Sequence, residues 1–222
     1  MGIVSFINTD RLFWLGRYTE RVYTTIRLFG ESFDRLIEGD SDVIRRFCES
    51  LDIPDMYVSG DDFVARYLFD GHNPDSVLSN LTRAYDNAMT LREEIGSECI
   101  SYIQLAIYVM NSLTDAPGPM LGLQKVLDLI LAFWGLVDDM IPDENVRNII
   151  KTGKRVERLD LYARLNRSRT DILREAHRLS VRISRTNLHY SPSDTEALTR
   201  LAEADVPDYR AILRLVDALV VI

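Results

Sequence analysis

The sequence predicts an all-α fold, a helical bundle in which two long helices carry an internal Gly/Glu/Arg repeat. Three observations predict it. Only 11 Gly and 7 Pro are spread over 222 residues, while the good helix formers Leu, Ala, Arg and Glu are abundant. Apolar residues recur at three- and four-residue spacing through most of the chain, and no segment alternates as a strand would. A thirteen-residue pattern of Gly, Glu and Arg returns 137 positions later with its spacing intact, which marks two related halves. With 46% hydrophobic residues the chain can bury one sizeable core. It reads as a single domain, 1–222, with a first half of about 1–115 and a second, shortened half of about 119–222.

Asn8-Thr9-Asp10 is a helix-start signal, and apolar Leu12, Leu15, Val22, Ile26 and Phe29 follow until Gly39 offers a stop. A short helix follows Ser41-Asp42 and ends near Pro54; another begins at Asp61-Asp62 and stops at Gly71. Asn73-Pro74, a cap and a first-turn proline, opens the longest helical stretch, to about Leu113. Val77, Leu81, Ala84, Ala88, Leu91 and Ile95 keep its period, and Gly96-Ser97 is its bend. Ala116-Pro117-Gly118-Pro119 interrupts the chain. A helix from about Leu121 to Met140 follows, and Pro142-Asp143 caps the long helix bearing the second copy of the repeat. Ser193-Asp194-Thr195-Glu196 fits a capping box, and Pro207 starts a last helix that runs out in Leu219-Val220-Val221-Ile222.

The formal charge of −8 is unevenly spread. Residues 151–185 hold eleven Lys and Arg against Glu157, Asp160, Asp171 and Glu175. Within them Arg174, Arg178, Arg182 and Arg185 run along one helical face. That face is either solvated or packed beside an acidic helix of the same chain, or it is a surface for an anionic partner. Nucleic acid is a poor candidate partner, since the whole chain is acidic and no recognised binding module appears. No apolar run approaches the roughly 20 residues of a membrane span. Met1 to Phe6 form no signal-like core, and Phe6 stands where a myristoylation signal wants Ser or Thr. Cys48 and Cys99 lack metal-ligand spacing and read as reduced core residues. A cytoplasmic protein with no membrane partner is expected.

Catalytic and metal signatures are scarce. His72, His177 and His189 are far apart, and no Glu-x-x-His pair exists for a di-iron centre. Asp138-Asp139 followed by Asp143 is similar to the aspartate-rich Mg²⁺ motif of all-α terpenoid synthases. Its spacing is one residue too long and Pro142 interrupts it. No nucleophile elbow or glycine-rich phosphate loop occurs, so no metal or cofactor is expected.

The repeat is what remains. Gly16-Arg17-Tyr18-Thr19-Glu20-Arg21, then Arg27-Leu28, returns as Gly153-Lys154-Arg155-Val156-Glu157-Arg158, then Arg164-Leu165. On a helix Gly16, Glu20 and Arg27 share one stripe; Arg17 and Arg21 share a second, about 100° round. Like charges at i, i+4 repel. Keeping that pair twice implies something negative opposite, either the Glu of the other copy or a bound anion. The two helices are expected to cross at their glycines, Glu20 facing Arg158 or Arg155 and Glu157 facing Arg21 or Arg17. Asn87, Arg92 and Glu93 on the central helix are further candidate ligand-binding residues, beside Arg17, Glu20, Arg21, Lys154, Arg155, Glu157 and Arg158. Sequence leaves two readings open: a buried ion-pair network joining the halves, or guanidinium groups converging on a carboxylate or phosphate.

These blocks resemble the alpha-E family, predicted α-helical bacterial proteins named for paired Glu-Arg motifs. Its first motif is similar to Leu12 through Arg21. Its middle block resembles Asp70 to Glu98, from Asn73-Pro74-Asp75-Ser76-Val77 through Ala84-Tyr85-Asp86-Asn87-Ala88 to Leu91-Arg92-Glu93. The second Glu-Arg block resembles Gly135-Leu136-Val137 through Met140 and Asp143 to Arg158. The resemblance covers about residues 5–165. The chain departs from the family in its shorter length, in lacking a second Asn73-Pro74-Asp75-Ser76, and in having Ile100-Ser101-Tyr102 where a Trp is usual. The resemblance implies partnership with ATP-grasp ligases and transglutaminase-like proteins, and hence a role in ATP-dependent amide or peptide-bond formation. The expected function is an accessory protein holding an anionic small molecule or peptide at the Glu-Arg motifs. The alternatives are an enzyme using Glu20 or Glu157 as general base, with flanking Arg lowering that carboxyl, or a structural network without ligand.

Overall fold

A computed structural model describes residues 6–114 and 118–220. Met1 to Ser5, the Ala116-Pro117 part of the expected interruption, and the terminal Val221-Ile222 lie outside the described residues. Ten helices are described: α1 (Phe6–Ile37), α2 (Val43–Leu51), α3 (Gly60–Phe69), α4 (Val77–Thr90), α5 (Arg92–Ser112), α6 (Met120–Asp139), α7 (Glu144–Arg164), α8 (Arg169–Ile183), α9 (Pro192–Glu203) and α10 (Tyr209–Ala218). The fold is all-α, with one isolated bridge, Tyr190 to Val220, among the described residues.

Where caps differ from expectation, a nearby hydroxyl or carboxylate has won. The first helix begins at Phe6, so Asn8-Thr9-Asp10 lies inside it rather than capping it. Ser59 Oγ accepts from the Asp62 amide and starts α3. Ser76, not Asn73, caps α4, while Asn73 Oδ1 accepts from the Asp75 amide in the turn before it. Ser191 caps α9 two residues before the expected capping box, leaving Pro192 at its first position. Asp143 caps α7 through the Asn145 and Val146 amides. The long central stretch is broken twice, at Leu91 and at Gly96, whose φ of +77° costs glycine little. A break that the periodicity hid separates α7 from α8 at Asn166, φ +47°.

Packing centres on α1, which lies along α7 and α4; α5 packs on α4 and α6, and α7 also holds α8 and α10. Val77, Leu81, Ala84, Ala88, Leu91 and Ile95 are all buried, as their period required. Phe29, Phe47, Phe63 and Tyr67 form an aromatic knot between α1, α2 and α3. Cys48 and Cys99 are buried and unpaired, and burial pushes their thiols up to about 12 and about 11. One expectation is corrected. α6 is long and apolar enough to cross a membrane by length and composition, with a mean hydropathy of 1.6; Gln124, Lys125 and Asp128 break the continuous apolar run in its sequence. Its Leu123, Val126, Ile130, Phe133 and Val137 are buried in the bundle.

Candidate functional site

The two copies of the repeat meet face to face because each contributes a glycine where the backbones touch. A Cβ on Gly16 would lie 1.9 Å from the Ile150 carbonyl oxygen; one on Gly153 would lie 2.0 Å from that of Phe13. Phe13 and Ile150 are themselves 137 apart, so each glycine rests on the same place in the other copy. The contact is reciprocal.

The charges are reciprocal too. Arg158 grips Glu20 with both edges of its fork, Nε to Oε1 at 2.6 Å and Nη2 to Oε2 at 2.7 Å, and Thr24 Oγ1 donates at 2.8 Å. Arg21 Nε donates to Glu157 Oε1 at 2.5 Å, and Arg17 Nε to Oε2 at 2.7 Å. Glu20 is 0% exposed and Glu157 1%, so both carboxylates are sealed from solvent. The negative group opposite each Arg pair is the Glu of the other copy.

The symmetry fails at one position. Lys154, the counterpart of Arg17, makes no ion pair with Glu20; its Nζ lies 3.1 Å from the centre of the Trp134 ring. Burial, with Arg158, Arg155 and Lys151 nearby, lowers this amine to about 6, although Glu20 pulls the other way and the aromatic face favours the cation. Complete burial raises the Glu20 carboxyl above its ordinary value, against the pull of Arg158 and Lys154. That corrects the expectation that flanking Arg would lower it, because desolvation is the larger effect.

A pH prediction follows. Between about 6 and 10.5 the unfolded Lys154 is protonated and the folded one is not, so folding releases a proton and stability rises with pH. The parent should gain stability relative to Lys154→Met from pH 6 to 8.5, by less than the ~1.4 kcal/mol per unit of a full proton. Urea unfolding at several pH values measures this, and parallel curves would contradict the assignment.

The remaining expected residues diverge. Arg155 turns to α8, its Nη1 donating to the buried Glu175 at 2.7 Å. It lies one residue, about 100°, from the stripe that faces α1. Arg178 and Arg174 reach the same carboxylate at 3.1 and 3.5 Å, so that part of the Arg stripe closes on an acid of its own helix. Asn87 accepts from Arg11 Nη1 at 3.4 Å and lines another hollow, about 350 Å³, with Trp14, Tyr18 and Arg83. Arg92 and Glu93 are exposed at the start of α5, Arg92 Nε donating to Ser97 Oγ. No hydrogen bond or ion pair joins them to the repeat among the described residues, because the break at Leu91 turns the chain there. Trp134, Thr24 and Glu175 were not expected. Glu175 had a signal in Arg174 and Arg178, which flank it in sequence; Trp134 had none.

Two hollows flank the Glu157 pairs. Arg17 borders one of about 230 Å³ with Trp14, Val156 and Val216. Arg21 borders one of about 140 Å³ with Thr25, Asp52, Asp75 and Arg164. Asp138 pairs with Lys151, and no group of three or more His, Cys, Asp or Glu stands together as a metal site among the described residues.

The model of the Alpha-E family, described as a predicted alpha-helical domain with a conserved ER motif, matches residues 8–221. The match continues past residue 165, where the sequence resemblance ended. Neither a curated protein nor a solved structure matches the chain.

Proposed function

The chain belongs to the Alpha-E family, and from that premise we propose a helical accessory protein that holds an anionic ligand, peptide-like or phosphorylated. It works beside an ATP-grasp ligase, with a transglutaminase-like protein as a further partner, in ATP-dependent amide or peptide-bond formation. One observation carries this reading over the enzymatic one. Both motif carboxylates are sealed and already gripped by guanidinium groups. A general base must come within hydrogen-bond reach of its substrate, and the raised Glu20 carboxyl has no such access. The Glu-Arg pairs therefore act as a rigid joint, and the cations at its edges meet the ligand.

The exposed basic face of α8 is the docking surface for the ligase. Arg178 is exposed on it and Arg185 just past its end at Ile183, and rim charges of one sign mainly speed and orient encounter. Arg178→Glu combined with Arg185→Glu should weaken co-purification with the ligase at low salt, and high salt should do the same to the parent pair. Arg185→Glu alone should change stability by less than about 1 kcal/mol, whereas Arg178→Glu also sets a second carboxylate beside the buried Glu175 and should cost more. No association at any salt would remove the accessory role. ATP-independent turnover by the isolated chain, lost in Glu20→Gln, would put the enzyme first.

A further inference from the structure

The two ends of the repeat supply an internal comparison. Arg27 and Arg164 are mates, 137 residues apart. Arg164 is satisfied within the chain: its Nε donates to Asp160 Oδ2 at 3.0 Å and its Nη1 to Asp52 Oδ2 at 3.2 Å. At Arg27 both carboxylates are missing. The mate of Asp160 is Tyr23, whose ring centre lies 5.8 Å from the guanidinium carbon. Arg27 has no carboxylate partner among the described residues and is exposed.

The surroundings correspond as well. Thr25, Leu161 and Arg164 line the hollow of about 140 Å³ into which the chain places Asp52 and Ile53. Their mates Tyr162, Thr24 and Arg27 line a hollow of about 290 Å³ on the opposite side of the helix pair. Among the described residues nothing equivalent to Asp52-Ile53 enters the larger one. Its other cations, Arg167 and Arg174, are paired with Glu31 at 3.4 Å and Asp171 at 2.6 Å, which leaves Arg27 as the available one there. Thr24, on its wall, donates to Glu20, so the hollow borders the Glu-Arg joint directly.

We propose that this hollow, between α1, α7 and α8, binds the side-chain carboxylate of an acidic peptide on Arg27, as Asp52 binds Arg164 in the other half. Asp52-Ile53 is then the chain's own copy of the ligand. Tyr23 and Tyr162 supply flat apolar faces for the atoms behind the carboxylate. The inference rests on the reading of the chain as a binder of anionic ligands, but not on its ligase partnership, which co-purification tests separately.

The experiment is calorimetric titration of the intact chain with the dipeptide Glu-Glu, with Gln-Gln and inorganic phosphate as comparison ligands. Saturable binding of Glu-Glu, no binding of Gln-Gln, and at least a tenfold loss in Arg27→Met are expected. Arg27 is exposed and makes no ion pair among the described residues, so that variant should melt with the parent. Asp52→Gly is the second variant. Its φ of +57° suits glycine, and freeing Arg164 should add a weaker second site. No binding of Glu-Glu by the parent, or unchanged binding in Arg27→Met, would overturn the proposal. Arg27-dependent binding of phosphate without Glu-Glu would overturn its assignment to a peptide carboxylate.

Discussion

Gly16→Ala and Gly153→Ala should each destabilise the fold by about 3 kcal/mol or more, at the upper end of what overpacking costs. Two effects compete. On an isolated helix Gly to Ala stabilises by about 1 kcal/mol, through lower backbone entropy in the unfolded chain. Here the added carbon would sit about 2 Å from a carbonyl oxygen of the other long helix. A backbone carbonyl cannot swing aside as a side chain can, so α1 and α7 must separate and the ion pairs beside the contact must lengthen. The clash therefore wins. Gly135 provides the contrast, since it is helical and exposed, and a Cβ there meets nothing within 4 Å. Gly135→Ala should stabilise by about 0.5–1 kcal/mol. Urea melts of the three variants check both signs. A crossing glycine that tolerated alanine as Gly135 does would show that the helices do not touch.

The second large effect belongs to the carboxylates. Arg158→Met should cost about 3–5 kcal/mol, because Glu20 is left without its bidentate partner. Thr24 and the largely neutral Lys154 are too weak a substitute. Glu157→Gln should fall in the same range, since Arg17 and Arg21 then lie four residues apart with no negative charge between them. Arg17 is largely buried and stacks on Trp14 at 4.7 Å, so it cannot swing freely to solvent. Replacing a whole buried pair by apolar groups often costs far less than breaking it. The pairs accordingly specify how α1 and α7 register more than they stabilise the bundle.

How much of this was legible in the sequence depended on what each residue had to satisfy. The crossing was legible because Gly, Glu and Arg recurred at fixed spacing, and two like charges kept four residues apart twice called for a negative group opposite, the Glu of the other copy or a bound anion. The helix boundaries were partly legible. Asp143 and Gly96 act as their types suggest, but Ser59, Ser76 and Ser191 took capping roles from better-looking neighbours. Any serine two or three residues away can bond the free amides of a shifted first turn. Leu91 hid a break because it is buried and in phase with its helix, and period alone reports burial, not backbone angle. Arg155 reads in sequence as an alternative to Arg158 opposite Glu20, since its charge is visible there and its 100° offset from the facing stripe counts for less. Arg92 and Glu93 were grouped with the repeat by residue type, and the break before them places them elsewhere. The empty partner position at Arg27 was legible only in retrospect: Tyr23 and Asp160 are repeat mates, but nothing in sequence says that Asp52 would reach Arg164 across 112 residues.

The central claim is that Glu20 and Arg158 are each other's partners, rather than two groups awaiting a ligand. A double-mutant cycle on Glu20→Gln and Arg158→Met, read by equilibrium unfolding in the absence of any added anion, tests it most directly. The account predicts that Arg158→Met alone loses about 3–5 kcal/mol, that the double variant is no worse than this single, and that the coupling is about 2 kcal/mol or more. An Arg158→Met protein as stable as the parent, or more stable, with effects that simply add, would contradict it.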